Sequence, residues 1–257
     1  MQVFIGSEAL TSGSLTPDEL RSFHIRVLPG IYALKRTPLS LRDLTEAAWL
    51  WSRRRGVIAG LAASALHGTE WIDDDVAIEL IHPNCKPPSG VSTRRDAVLA
   101  AEIASIAGMC VTTPARTAFD LARRDSAGTA VARLDALTRA ADVKPDEVLQ
   151  VAQAHAHVRG ICRLPTVLDL VDAGAASPQE TRLRLLLTVE GFPRPQTRFP
   201  CRGRQAGRAT TSTWGGLSSW SRSNTTAGNT ASTAISTERT SNDWNTFRVS
   251  AGSWSGR

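Results

Sequence analysis

Thr16-Pro17-Asp18-Glu19-Leu20-Arg21-Ser22-Phe23-His24-Ile25-Arg26-Val27-Leu28-Pro29-Gly30-Ile31-Tyr32-Ala33-Leu34 changes its period halfway along, and that change decides how the first part of the chain folds. In the first half Thr16 is a helix N-cap, and Pro17 takes the first helical position, where its missing N–H is no loss. Glu19 stands where a capping-box carboxylate reaches back to the cap. In the second half, apolar residues flank the Pro29-Gly30 turn in the pattern of strand, turn, strand. Ahead of Thr16, Ser7 caps a shorter helix through Leu10 that Gly13 ends.

Helix, turn, helix, hairpin is the element order of a winged helix-turn-helix, so residues 1–38 are expected to form a winged-helix-like unit. Such a unit normally carries a further helix in front, and the stretch before Ser7 is too short for a full one. The alternative is a module that serves as a protein-interaction element or packs against the helical residues beyond it.

Residues 39–172 read as a mostly helical middle domain with a small sheet. Ser40 and Asp43 cap a helix running to Arg55, with Leu41, Leu44, Ala48 and Trp51 as its apolar face. Arg53, Arg54 and Arg55 load its C-terminal end, where the helix dipole favours cations. Gly60 to Gly68 is a small-residue helix. Strands are expected at Val76–Ile81 and Gly90–Arg95, with the Asp73-Asp74-Asp75 run as a solvated turn. Thr113 and Pro114 open a helix with Ala118, Leu121 and Ala122 inward. Further helices are expected near 130–140, from Pro145, and near 165–171. His155 and His157 are two apart, so on a helix they cannot jointly hold a metal. The region contains no Gly-rich phosphate loop, nucleophile elbow or metal-ligand cluster.

Ser177-Pro178-Gln179-Glu180-Thr181-Arg182-Leu183-Arg184-Leu185-Leu186-Leu187, closed by Gly191-Phe192-Pro193, opens another unit. Ser177 caps, Pro178 takes the first helical position, Glu180 completes the capping box, and Leu183, Leu186 and Leu187 form one stripe. Gln196 to Pro200 begins a strand.

From Cys201 the composition breaks. Of the last 57 residues 21 are Ser or Thr, and four of the chain's seven Trp occur there. So few branched aliphatics cannot offset the cost of ordering the backbone, and disorder is expected over residues 201–257. The same segment holds seven Arg against two acidic residues, +5 of the net +6, which leaves only +1 on residues 1–200. Reading Thr211 to Ala227 one base out of frame yields a strand-like pattern with Asp, Glu, Asp-Gly and Gln-His, so the tail reads as a frame-shifted product. The four cysteines show neither C-x-x-C pairing nor zinc-finger spacing, and there is no membrane-spanning run or leader pattern. A cytoplasmic protein that does not contact membranes is the expectation.

The Ser177–Pro193 stretch resembles the opening helix of the DUF559 family, related to the very-short-patch-repair and PD-(D/E)XK endonucleases, so residues 177–200 are similar to a truncated restriction-endonuclease-like start. Residues 1 to about 176 resemble mycobacterial proteins whose N-terminus is similar to the winged helix of AbiEi-like type IV antitoxins. The nuclease resemblance implies Mg2+ in an intact family member, held by acidic residues on central strands that this chain lacks. Glu180 is the one candidate catalytic residue, a metal-site remnant, and no cofactor is expected for this chain. The antitoxin resemblance implies that Thr16–Phe23 faces a DNA groove and His24–Leu34 forms the wing. Arg21 and Arg26 would contact phosphate or base edges, and Lys35 and Arg36 would follow the wing toward the backbone. The partners it implies are double-stranded DNA and a cognate toxin or other protein. The expected whole is an α+β, DNA-associated antitoxin-type regulator with a degenerate nuclease-like C-terminus. The alternatives are an endonuclease family member inactivated by loss of its β-core, or a non-catalytic binding scaffold.

Overall fold

A computed structural model of the 257-residue chain describes residues 2–84, 86–201 and 210–215. The architecture is α+β. It begins with β1 (Val3–Ile5), α1 (Gly6–Thr11), α2 (Pro17–Phe23), β2 (His24–Leu28) and β3 (Ile31–Leu34). The capping box at Thr16 forms as the sequence requires: Glu19 N–H donates to Thr16 Oγ1 at 3.2 Å and Thr16 N–H donates to Glu19 Oε2 at 2.8 Å. The three strands make an antiparallel sheet in the order β1-β3-β2, with Val3 opposite Ala33 and Arg26 opposite Tyr32. β1 was not expected, because three residues are too few to show a period. Gly6 begins α1 against the Tyr32 ring, where a Cβ would stand 2.6 Å from a ring carbon, so the close approach requires glycine.

The next elements are α3 (Leu41–Trp51), β4 (Val57–Ala59), α4 (Gly60–Leu66), β5 (Ile78–Ile81), β6 (Val91–Arg94), β7 (Ile103–Ile106) and β8 (Met109–Thr112). α3 ends four residues earlier than the Arg55 expected. Arg53 and Arg54 turn into the left-handed region, at φ 56 and φ 60, and Arg54 forms a two-pronged pair with Glu8 at 2.6 and 2.7 Å. The strands form one five-stranded sheet in the order β6-β5-β4-β8-β7. β4 lies at its centre, antiparallel to β5 and parallel to β8. Only β5 and β6 were anticipated; β4 and the β7–β8 hairpin complete the sheet.

One apolar core joins Val3, Ile31 and Ala33 of the first sheet to Ile58, Leu80 and Val111 of the second, with Ala47, Ala48 and Leu50 of α3 between them. The N-terminal sheet is therefore welded to the larger one through α3.

The remaining chain is α5 (Pro114–Arg124), α6 (Ala127–Ala141), α7 (Pro145–Ala154), α8 (Leu164–Leu170), α9 (Pro178–Val189), β9 (Gln196–Cys201) and β10 (Thr210–Gly215). A second core gathers Phe119, Leu134, Leu137, Val148, Leu164 and Val167 from α5 to α8. β9 and β10 pair antiparallel, with Thr210 opposite Cys201 and Trp214 opposite Thr197. A strand thus occupies part of the tail expected to be disordered; the rest of that expectation, and most of the frame-shift reading, falls outside the described residues.

Candidate functional site

The cations expected at a DNA surface divide in the structure. Arg21 projects from α2 with a side chain 74% exposed, and its ion pair with Asp18, 87% exposed, is of the weak, solvent-screened kind that leaves the guanidinium free to exchange partners. Arg26 is exposed on β2, close in sequence to the Arg26–Leu28 irregularity that bends the hairpin. Lys35 is already engaged. Its Nζ donates to the carbonyls of Arg21 at 3.0 Å and Ser22 at 2.7 Å, closing the C-terminal end of α2. Arg36 is exposed at φ 67 just beyond β3. The structure thus sets Arg21, Arg26 and Arg36 on one helix-and-hairpin unit and makes Lys35 a brace for it. Phe23, Ile25 and Leu34 are exposed on the same elements.

Glu180 does not close the capping box expected of it. Ser177 Oγ accepts from Glu180 N–H at 3.3 Å, but the Glu180 carboxylate reaches one residue further back and accepts from Ala176 N–H at 2.8 Å. Among the described residues no group of three or more His, Cys, Asp or Glu side chains is arranged to hold a metal ion. Glu180, alone and bound to a backbone amide, does not by itself fit a Mg2+ site.

Sequence reading missed a network of buried charge around α5. Arg116, 1% exposed, donates from Nε to Asp120 at 3.1 Å and from Nη1 to Glu102. His155 at the end of α7 lies 2.6 Å from Glu102 through Nε2, an approach that needs a proton on that nitrogen. The 3.1 Å Arg116–His155 contact therefore adds no hydrogen bond of its own. Arg123 donates to Asp120 at 2.7 and 3.0 Å and to Asp96 at 2.8 Å, and Arg124 joins it at Asp96. Arg94 completes the set, 3.2 Å from Glu79, 3.6 Å from Asp96 and 3.8 Å from Asp120. Both guanidiniums also approach the Phe119 ring, Arg116 at 5.7 Å and Arg123 at 5.3 Å from its centroid. Four arginines thus face four carboxylates, and the cluster is neutral within itself. Burial opposes ionisation of Asp96, but Arg124, Arg94 and Arg123 outweigh it and hold the carboxyl below its usual range. The cluster contains no nucleophile poised beside a base, and its chemistry is that of a scaffold. The only sequence signal was the Arg116, Asp120, Arg123 spacing, which a solvated helix face would share.

A second buried charge joins α6 to α9. Asp135 accepts from Thr181 Oγ1 at 2.6 Å, Arg184 Nη2 at 2.7 Å and Asp172 N–H at 2.6 Å. Burial pushes its pKa up, against these donors. Thr181 and Arg184 are consequently the buried residues of α9, while Leu183 and Leu186 are 45% and 48% exposed. Of the expected leucine stripe, Leu183 and Leu186 face outward and Leu187 is half-buried.

The fold is α+β, with a scaffold of buried arginine–carboxylate pairs around α5. Residues 57–170, which span the five-stranded sheet and α4 to α8, match the family described as the AbiEi antitoxin C-terminal domain. The chain is also 27% identical over 179 residues to two uncharacterized proteins of Mycobacterium tuberculosis, from strains CDC 1551 and ATCC 25618. Each alignment covers 70% of this chain and 65% of the relative. Among the described residues no helix is long and apolar enough to cross a membrane.

Proposed function

We propose that this chain is a DNA-associated regulator of the antitoxin type. The observation that carries the reading is the match of residues 57–170 to the antitoxin C-terminal domain, preceded, across α3, by a helix-helix-hairpin unit that presents Arg21 and Arg26 to solvent. On this reading α2 enters the major groove, the β2–β3 turn acts as a wing over the adjacent backbone, and Arg36 extends the phosphate contacts. Lys35 keeps α2 at a fixed angle to the hairpin by holding its last carbonyls. The antitoxin-like domain would then meet a cognate toxin or another protein in the cytoplasm.

The full chain should bind duplex DNA with an affinity that falls steeply with salt. Arg21→Ala or Arg26→Ala should each weaken binding and lower the salt slope by about one unit. No binding to duplex DNA at low salt would overturn the proposal.

A second reading concerns the C-terminal region, and the exposed Leu183, Leu186, Val189 and Phe192 favour it. Here α9 and the β9–β10 pair are the start of a nuclease-like domain whose β-core, with the acidic residues that would hold Mg2+ beside Glu180, has been lost to a change of frame. Sequencing the coding DNA around codon 200 tests this directly. A frame with no alternative strand-coding continuation would remove the reading, and so would magnesium-dependent cleavage of DNA by the chain as it stands.

A further inference from the structure

The charge network around α5 closes on itself, four against four, and the arginines just outside it have no such compensation. Arg159 and Arg163 lie on the connection from α7 to α8, both exposed and neither with an acidic partner among the described residues. With Arg123 and Arg124 they line a cleft of about 690 Å³. Asp96 is the one carboxylate in its wall, and it is already engaged by Arg123 at 2.8 Å and by Arg124.

The cleft is therefore electropositive for a structural reason. Its inner arginines are balanced, and its rim adds two charges with nothing opposite. Burial, and then repulsion from Arg94 and Arg123, push the Arg124 guanidinium below its ordinary value. The backbone also holds the rim close. Gly160 sits at φ +87, and a Cβ there would stand 2.2 Å from the Arg123 carbonyl oxygen, so only glycine lets this connection lie against the end of α5. That contact fixes Arg159 beside the inner arginines.

We infer that this cleft is a phosphate-binding site, in which Arg159 and Arg163 supply the net attraction and Arg123 and Arg124 form the inner wall. The planar fork of a guanidinium matches two phosphate oxygens at once, and a volume of this size admits a phosphate pair with part of the group that carries it. The phosphate comes either from a nucleic-acid backbone or from a free nucleotide. The site does not depend on the DNA reading of the N-terminal unit, because Arg21 and Arg26 take no part in it.

The test is calorimetric titration of the full chain at low salt with inorganic pyrophosphate, with ATP and with a short DNA duplex. At least one of the three should bind saturably. Arg159→Ala with Arg163→Ala should weaken that binding about tenfold per arginine, about a hundredfold for the pair. Both side chains are exposed, so the fold is unaffected, and the Lys pair should recover part of the loss. Arg21→Ala with Arg26→Ala should leave pyrophosphate and ATP binding unchanged. Displacement of pyrophosphate or ATP by the duplex identifies a nucleic-acid backbone as the source, and failure to displace identifies a free phosphate compound. Absence of saturable binding for all three probes, or binding that the Arg159 and Arg163 substitutions leave intact, overturns the site.

Discussion

α5 and α9 begin with the same local instructions and differ in what they bury. Each is capped by a hydroxyl, Thr113 or Ser177, that accepts from the N–H three residues on, and each has proline at its first position. α5 then buries Ala118, Phe119, Leu121 and Ala122 along with Arg116 and Asp120. α9 buries Thr181 and Arg184 and leaves leucines in water. Caps decide that a helix forms and where it starts, and the partner opposite decides which face turns inward. For α9 that partner is Asp135. Half-exposing Leu183 and Leu186 forgoes roughly 1 kcal/mol each, whereas stranding a buried carboxylate costs about 3–5 kcal/mol.

The largest effect is expected when a carboxylate is removed from the α5 network. Asp120→Ala removes the carboxylate that Arg116 and Arg123 share, and denaturant unfolding should show a loss of about 3–5 kcal/mol. A loss below about 1 kcal/mol would show that neighbouring acids compensate and that the network is not a unit. The α6–α9 contact should be weaker. Thr181→Val removes one of three donors to Asp135 while keeping the shape, and about 1–3 kcal/mol is expected.

A smaller effect tests how α5 is anchored. His67 Nε2 lies 2.7 Å from the Thr112 carbonyl, just ahead of the Thr113 cap, and burial pushes this imidazole below its usual pKa despite that hydrogen bond. The folded state thus takes up the proton less readily than the unfolded chain. Its contribution is complete above the ordinary histidine value of 6.5 and is lost as pH falls through the lowered one. His82 is shifted the same way by burial and by Arg55. His67→Gln keeps a donor and removes the titration, so the acid-side fall in melting temperature should flatten. An unchanged profile would assign the whole pH dependence elsewhere.

The legibility of the sequence divides along the same line. The caps at Thr16, Ser40, Thr113 and Ser177 were legible because a cap needs only neighbours three residues apart. The apolar inward face of α5, with Ala118, Leu121 and Ala122, was legible because apolar surface met apolar surface there. β1 and β4 were not, since three residues carry no period and their hydrogen bonds go to strands far along the chain. The α5 network was hidden because Glu79, Arg94, Asp96, Glu102 and His155 come to it from four other segments. The bracing role of Lys35 was hidden too, because composition does not reveal that a cation is holding carbonyls.

The smallest expected effect is the most informative about the C-terminal region. If α9 is held only by Thr181, Arg184 and the partly buried Leu185, then Leu186→Ser exchanges one exposed side chain for another. Unfolding should then shift by no more than about 0.5 kcal/mol. Solubility should improve, because Leu183, Leu186, Val189 and Phe192 together form an exposed apolar run. A loss of about 2 kcal/mol or more, the scale of one buried leucine, would mean that these leucines are covered in the folded protein. α9 would then have two buried faces, as α5 has, and the contrast between the two helices would disappear.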